Sequence, residues 1–474
     1  MSRTRIVCTI GPCSLAEPML RGLCDAGMGI ARLNGSHADL DWHRNAIREI
    51  RRVAPDVPIL LDIPGRKIRT LQLAHEPSFA AGEEIVLTTG TDHAGGAKVP
   101  VNYPDLHADL KPGDTVLADD GTLRFTVARI EGRDIHCRAE TAGTLRSRKG
   151  INVPFVTLNT PQVTDRDRQM IAFASEHGID FIGLSFVESA AHIEAFRKLI
   201  GGNTPRIVAK VENQGGMDNA AEIAASADAV MIDRGDLSVE TSLHDVALRQ
   251  KRIIAAARAH GRPVIVATEM LHTMIQNSFP TKAEVSDITN AVLDGCAATM
   301  LSGETAIGAY PVESVRLMRA VTDAAEIHAQ GEFDQDAVAL GNSIPEVIGR
   351  VIPMMCRALP ITKIVAITRS GFAARMIAVR RPRQPILAVS DDAAAARSFN
   401  LIAGTTGVHS DFPFPASSID HIGRVLEMLW RRGLLVESDL VLTTGVVYPR
   451  PGSRMNAVQI NHVLDLVASL GWRP

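Results

Sequence analysis

RIVAKVENQGG, from Arg206 to Gly216, followed by AVMIDRGDL, from Ala229 to Leu237, is the stretch on which the fold turns. Each opens with a short, buried-type β run that ends in charged residues, and the two runs start 23 residues apart. That interval holds one strand, one helix and two loops. Outward from this pair, runs of the same kind begin at Arg5 (RIVCTI), Gly29 (GIARLN), Val57 (VPILLDI), Phe181 (FIGLSF), Pro263 (PVIVAT) and Thr299 (TMLSGE). The eight starts differ by 24, 28, 124, 25, 23, 34 and 36 residues, so all intervals but one fit a single strand-helix unit. Eight units predict an α/β fold, a (β/α)8 TIM barrel. Inside the long interval, KPGD, DDG and EGRD turns separate EEIVLTT, RFTVARI and DIHCRAE, the pattern of a small β-barrel. The barrel is therefore expected over 1–66 and 156–330, with a β-barrel lid domain inserted over 67–155. A helical stretch around Val312 to Gln330 and a polar linker, GEFDQD, lead to TKIVAI, PILAVS and DLVLTT. These predict a C-terminal doubly wound α/β domain over 341–474.

Composition narrows the function. The 474 residues are 46% hydrophobic and 22% charged, as in an ordinary globular protein. Fifty Lys and Arg against 53 Asp and Glu give a net charge of -3, with no broad cationic field for nucleic acid or an anionic membrane. Six scattered cysteines form no C-x-x-C motif and read as reduced thiols. No apolar run reaches membrane-spanning length, and MSRTRIVCTIGP enters a strand at once, so a cytoplasmic protein is expected.

In barrel enzymes the chemistry gathers at the C-terminal ends of the strands. Here those ends carry Arg32 and Asn34, Asp62, Ser185, Lys210 and Glu212, Asp233 and Asp236, Thr268 and Glu269, and Ser302 and Glu304. Loops are polar in any protein, but polarity at nearly every strand end is more than loops require. Lys210 and Glu212 flank one Val, so both side chains share a face. Carboxylates from different strands, such as Glu212 and Asp236, suit Mg2+ or Mn2+, and Lys210 beside them could neutralise a phosphoryl group in transfer. The plainer reading is a buried Lys210–Glu212 salt bridge. A helix opening after RGDL would also point backbone N–H groups at an anion.

Ten stretches together resemble the pyruvate kinase family over essentially the whole chain: RIVCTIGPCS, ARLNGSHA, DIPGRKIRT, LADDG, RKGINVP, VAKVEN, RGDL, ATEMLHTMI, PTKAEVSDITNAVLDG and MLSGETAIGAYP. The resemblance implies the same barrel, inserted β domain and C-terminal domain, usually as a homotetramer. It implies phosphoryl transfer from phosphoenolpyruvate to ADP in glycolysis, giving pyruvate and ATP. By matching position, Glu212 and Asp236 would bind the divalent metal and Lys210 would stabilise the transferring phosphoryl group. Gly235, Asp236, Ser185 and Thr268 would lie against substrate, with Thr268 near the carbon that is protonated, and Arg32 would contact the phosphoryl group. Arg69, His37 and Lys149 match nucleotide-contacting positions.

The departures from the family pattern carry expectations of their own. Asn34, Ser36, Asp62 and the carbonyl of Ile63 match the family's K+ site, but Pro64 and Lys67 stand where the family usually has lysine and glutamate. The Lys67 ammonium could take the place of K+, so K+ is expected to be dispensable. Asp233 replaces a small residue, Glu269 replaces glutamine and Gly35 replaces an aromatic. Two additional carboxylates at the mouth would disfavour an anionic substrate unless Arg234 or Arg66 screens them. This leaves open a divergent Mg2+-dependent enzyme acting on another small phosphorylated or enolisable acid; a further alternative is a non-catalytic metabolite sensor that uses the C-terminal domain, against which the intact metal ligands count. In the C-terminal domain, TRSGFAA resembles the family's effector-phosphate loop. Thr368, Ser370 and Gly371, with Arg450 and Arg454 of a later Pro/Gly-rich loop, could bind a phosphorylated effector and act allosterically.

Overall fold

The computed structural model describes residues 3–91, 98–119, 121–156, 158–159, 161–329, 343–414, 420–447 and 454–473. The expected linker GEFDQD and the candidate effector residue Arg450 lie outside them.

The eight expected runs form eight parallel strands: Arg5–Thr9, Met28–Asn34, Ile59–Ile63, Phe181–Leu184, Arg206–Val211, Ala229–Asp233, Val264–Ala267 and Ala298–Leu301. They close into a barrel in sequence order, the eighth pairing back onto the first with Ala298 opposite Arg5. Alternation along each strand divides the apolar residues between two cores. Val7, Ile30, Leu60, Phe181, Val208, Met231, Ile265 and Met300 fill the interior, while Ile207, Ala209 and Val211 face the outer helices. Val208 thus lies in the packed floor, and Lys210 and Glu212, on the same face, rise from that floor toward the mouth.

The long interval between the third and fourth barrel strands is a separate β unit with its own apolar core. Its seven-stranded sheet runs from Ile68–Arg69 at one edge to Lys98–Pro100 at the other. The edges meet at an antiparallel bridge, Thr70 to Val101, with Leu71 N donating to Pro100 O at 2.9 Å and Asn102 N to Arg69 O at 3.0 Å. The sheet therefore closes on itself, leaving few exposed edge groups.

The C-terminal sheet has the order Thr405–His409, Ile386–Ser390, Lys363–Ile367, Leu440–Gly445, Ala457–His462, with only the last strand antiparallel. Apolar clusters cover both faces, as doubly wound packing requires. Two of the five strands are additional to the three read from sequence. One of them, TTGVH, is interrupted by Gly407, where a Cβ would lie 1.8 Å from Ala396 O, so the helix before it can pack only against glycine. This domain seals the barrel floor: Leu401 joins the interior cluster, and the buried Asp180 receives Arg51 at 2.6 Å and Arg397 at 2.9 Å. All six cysteines are free thiols. Among the described residues, no helix is long and apolar enough to cross a membrane.

Candidate active site

The strand ends bring most of the expected residues to one place. Lys210, 5% exposed, is its centre. Its ammonium lies 2.7 Å from Glu212 Oε1, 3.3 Å from Asp233 Oδ2 and 3.8 Å from Asp62 Oδ2, and donates to Ser185 Oγ at 3.2 Å. Burial alone would lower the lysine pKa, but Glu212, Asp62 and Asp233 outweigh it and hold the ammonium above its ordinary value. The plainer reading, a simple Lys210–Glu212 salt bridge, understates the site: one cation serves three carboxylates.

Arg32 comes off the second strand. Its Nε donates to Asp62 Oδ2 at 2.8 Å and its NH1 to Thr9 Oγ1 at 2.9 Å, at the end of the first strand. Asp62 is thus committed to arginine, while Ile63 O accepts the Ser185 hydroxyl at 2.8 Å. Asn34 Oδ1 accepts from Ser36 N at 3.1 Å. Lys67 does reach the mouth, but its ion pair is with Asp236.

Three carboxylates converge here. Glu212, Asp233 and Asp236 each offer an oxygen, all within 4.8 Å of one another. Burial, reinforced by Asp233 and Asp236, pushes the Glu212 carboxyl up, and burial with Asp233 does the same to Asp236. Burial would raise Asp233 too, but Lys210, Arg32 and Lys67 hold it below its ordinary value. Hard oxygen donors gathered in one cluster suit Mg2+ or Mn2+.

Strained backbone holds the rim. Phe186 has φ +52°, which aims its N–H at Glu212 Oε2, 2.6 Å away. Thr268 and Glu269 have φ +66° and +56°, a conformation disfavoured for residues with a Cβ. Thr268 is locked there: its hydroxyl lies 2.7 Å from Ala267 O and 3.2 Å from Asp233 Oδ1, the two acceptors for its one proton, and accepts from Gly235 N at 2.9 Å, while its carbonyl receives Arg234 NH2 at 2.7 Å.

Several expectations are corrected. The helix of the RGDL segment starts at Arg234 and runs to Glu240, so it does not open after the motif, and Gly235 N is already bonded to Thr268. Asp233 is not an unpaired carboxylate; Lys210 and the Thr268 hydroxyl face it. Arg234 and Arg66 are not its screens, since they pair with Asp287 at 2.6 Å and Glu188 at 3.1 Å. Glu269 is exposed. The buried Glu304 accepts the N–H groups of Ser302 and Leu271, which ties two strand-end loops together. Thr9, Asp287 and the Phe186 amide were not anticipated. Thr9 was within reach of the strand-end rule, because it ends the first strand; the other two required the tertiary structure.

The nucleotide-position residues lie around the rim. His37 is exposed, and desolvation with Arg69 and Arg32 nearby holds its imidazole below the ordinary value. Arg69 donates to Arg148 O at 3.3 Å, and Lys149 pairs with Asp119 at 2.6 Å. In the C-terminal loop, the N–H groups of Gly371 and Phe372 already donate to Thr368 Oγ1 and Ser370 Oγ, at 3.1 and 3.4 Å. Arg454 stacks 4.4 Å over Phe372.

The Arg234–Glu240 helix also meets the lid, where Asn152 Nδ2 donates to Glu240 Oε1 at 2.6 Å. Burial pushes the Glu240 carboxyl up to about 7, with Asn152 opposing the shift. An acid whose folded pKa is raised holds its proton longer in the native state, so its contribution to stability falls as pH rises from about 4.5 to about 7. At about 1.4 kcal/mol per pKa unit the effect is a few kcal/mol at most. In urea titrations at pH 5 and pH 8, Glu240→Gln is expected to lose less stability between the two pH values than the parent.

Two family models match the chain: "Pyruvate kinase, barrel domain" over residues 1–315 and "Pyruvate kinase, alpha/beta domain" over 346–461. The pyruvate kinase of Bacillus licheniformis is 36% identical over 99% of this chain and 82% of its own. That of Mycobacterium tuberculosis is 40% identical over 81% of this chain and 83% of its own. A crystal structure of a pyruvate kinase from Cryptosporidium parvum superimposes with a TM-score of 0.88 at 31% identity, covering 98% of this chain and 96% of the other. With closed barrel, inserted sheet and doubly wound domain all in place, the chain belongs to the pyruvate kinase family.

Proposed function

We propose that this enzyme is a pyruvate kinase that transfers the phosphoryl group of phosphoenolpyruvate to ADP. The observation that carries the reading is the Lys210 ammonium, buried among Glu212, Asp233 and Asp62 at the barrel mouth. Glu212 and Asp236 would hold Mg2+ or Mn2+, which when bound offsets negative charge on phosphoryl and carboxylate oxygens. Lys210 and Arg32 present fixed positive charge to the phosphoryl oxygens as negative charge spreads over them. Thr268, held by Arg234 and Asp233, sets its hydroxyl at the rim near the carbon that gains the proton. Gly235 and Ser185 shape the substrate's seat, and Arg69, His37 and Lys149 take the nucleotide, Lys149 from the lid, whose closure would exclude water. With Lys210 facing Asp233, and with Glu212 and Asp236 both present in the cluster, the reasons for a different acid substrate or a non-catalytic sensor weaken. The chain fits a homotetramer working in the cytoplasm, with the Thr368–Gly371 loop and Arg454 as its candidate effector contacts.

The assay is pyruvate formation from phosphoenolpyruvate, ADP and Mg2+ by the purified protein; none, with K+ supplied, would overturn the reading. The same assay tests the cation. Lys67 places an ammonium on Asp236, and Arg32 occupies Asp62, so the mouth already carries fixed cations beside the K+-site residues. Activity in tetramethylammonium chloride is expected to equal that in KCl, and a large loss would show that K+ is needed after all.

A further inference from the structure

We infer that Asp233 is a third carboxylate ligand of the divalent cation, added by this chain to the Glu212–Asp236 pair. The inference rests on the metal-dependent reading above and deepens it. Asp233 ends the sixth barrel strand, two residues beyond the interior Met231, so its side chain points inward. It is 7% exposed, its Oδ2 lies 3.3 Å from the Lys210 ammonium, and it shares one cluster with the other two carboxylates. The three oxygens lie within 4.8 Å of one another, and a small closure to about 3 Å, the separation of neighbouring ligands when each metal–oxygen distance is about 2.0–2.1 Å, would bring them onto one ion.

The local charge points the same way. Asp62 is matched by Arg32. Glu212, Asp233 and Asp236 then face two ammonium groups, Lys210 and Lys67, which leaves one acid in excess in a largely buried cluster. Buried carboxylates in excess of their cations are costly unless a cation or a proton joins them. A bound divalent ion relieves all three acids at once, whereas a role confined to positioning Lys210 and Thr268 leaves the excess in place.

The test is Mn2+ binding to the substrate-free full chain, read by titration calorimetry and by the electron paramagnetic resonance signal of free Mn2+. Asp233→Ala and the near-isosteric Asp233→Asn are each expected to weaken Mn2+ binding by more than about 100-fold, beyond the 10–100-fold that an outer partner of a metal ligand is worth. Glu212→Gln is the control. Folding is checked by circular dichroism; if the alanine variant does not fold, the asparagine variant decides. Should Asp233→Asn weaken Mn2+ binding by no more than about 100-fold while Glu212→Gln has lost it, Asp233 is at most an outer partner and not a ligand, and the metal-dependent reading stands. A parent protein that binds no Mn2+ overturns both.

Discussion

Replacing Lys210 with methionine is expected to lower kcat by about 10³-fold, with a smaller effect on KM for either substrate. Fixed charges aimed at a transferring phosphoryl group are worth 10³–10⁵-fold where their removal has been measured, and single oxyanion donors 10²–10³-fold. Lys210 is set at about 10³-fold, where the two ranges meet, because it is one preorganised charge. Glu212 and Asp233 hold its ammonium at 2.7 and 3.3 Å, Ser185 takes a hydrogen bond at 3.2 Å, and the interior floor packs beneath. Nothing need rearrange as charge develops. The same burial predicts a second effect. Methionine fills the space but leaves two buried acids without their shared cation, and breaking a buried pair costs about 3–5 kcal/mol. Those acids would then keep their protons to higher pH, so the variant's thermal midpoint should fall further below the parent's at pH 8 than at pH 6. A variant with parental kcat, or a stability loss independent of pH, would show that Lys210 is not the charge centre.

The architecture was legible because it is written in spacing. Eight runs at near-constant intervals, one interval too long and a shift to turn-punctuated strands within it are properties of the chain, and burial of alternate residues follows from them. The strand ends were legible for the same reason: in a parallel barrel every end faces one mouth, so Arg32, Lys210, Glu212 and Thr268 meet whatever their sequence separation. Pairing was not legible. Asp233 looked unpaired because the cation beside it is on the neighbouring strand, and the contact of Lys67 could not be read because Asp236, its partner, lies 169 residues on. Local exceptions also escaped. TTGVH breaks the strand pattern with a glycine required by a helix packed against it, and the RGDL helix begins inside its own motif, since Arg234 is anchored from outside by Asp287 and Thr268.

Arg32→Leu is the second large effect, expected to lower kcat/KM for phosphoenolpyruvate by about 10²–10³-fold, while Arg32→Lys recovers only part of the loss. The difference follows from geometry. The guanidinium spends Nε and NH2 on Asp62, at 2.8 and 2.7 Å, and NH1 on Thr9 at 2.9 Å, so its plane is fixed before substrate arrives. A planar fork fixed in this way can meet phosphoryl oxygens without losing rotamer freedom at that moment, and a lysine ammonium, flexible and able to satisfy only Asp62, cannot. Leucine also strands Asp62, whose nearest remaining cation is Lys210 at 3.8 Å. The freed carboxylate would compete for that ammonium and draw it from Glu212 and Asp233, so part of the loss should come from Lys210. A double-mutant comparison measures this: the combined effect of Arg32→Leu and Lys210→Met should fall well short of the product of the single effects, because residues sharing one charge network are not additive. Full multiplicativity would mean that the two cations act independently on the phosphoryl group and that Asp62 does not link them.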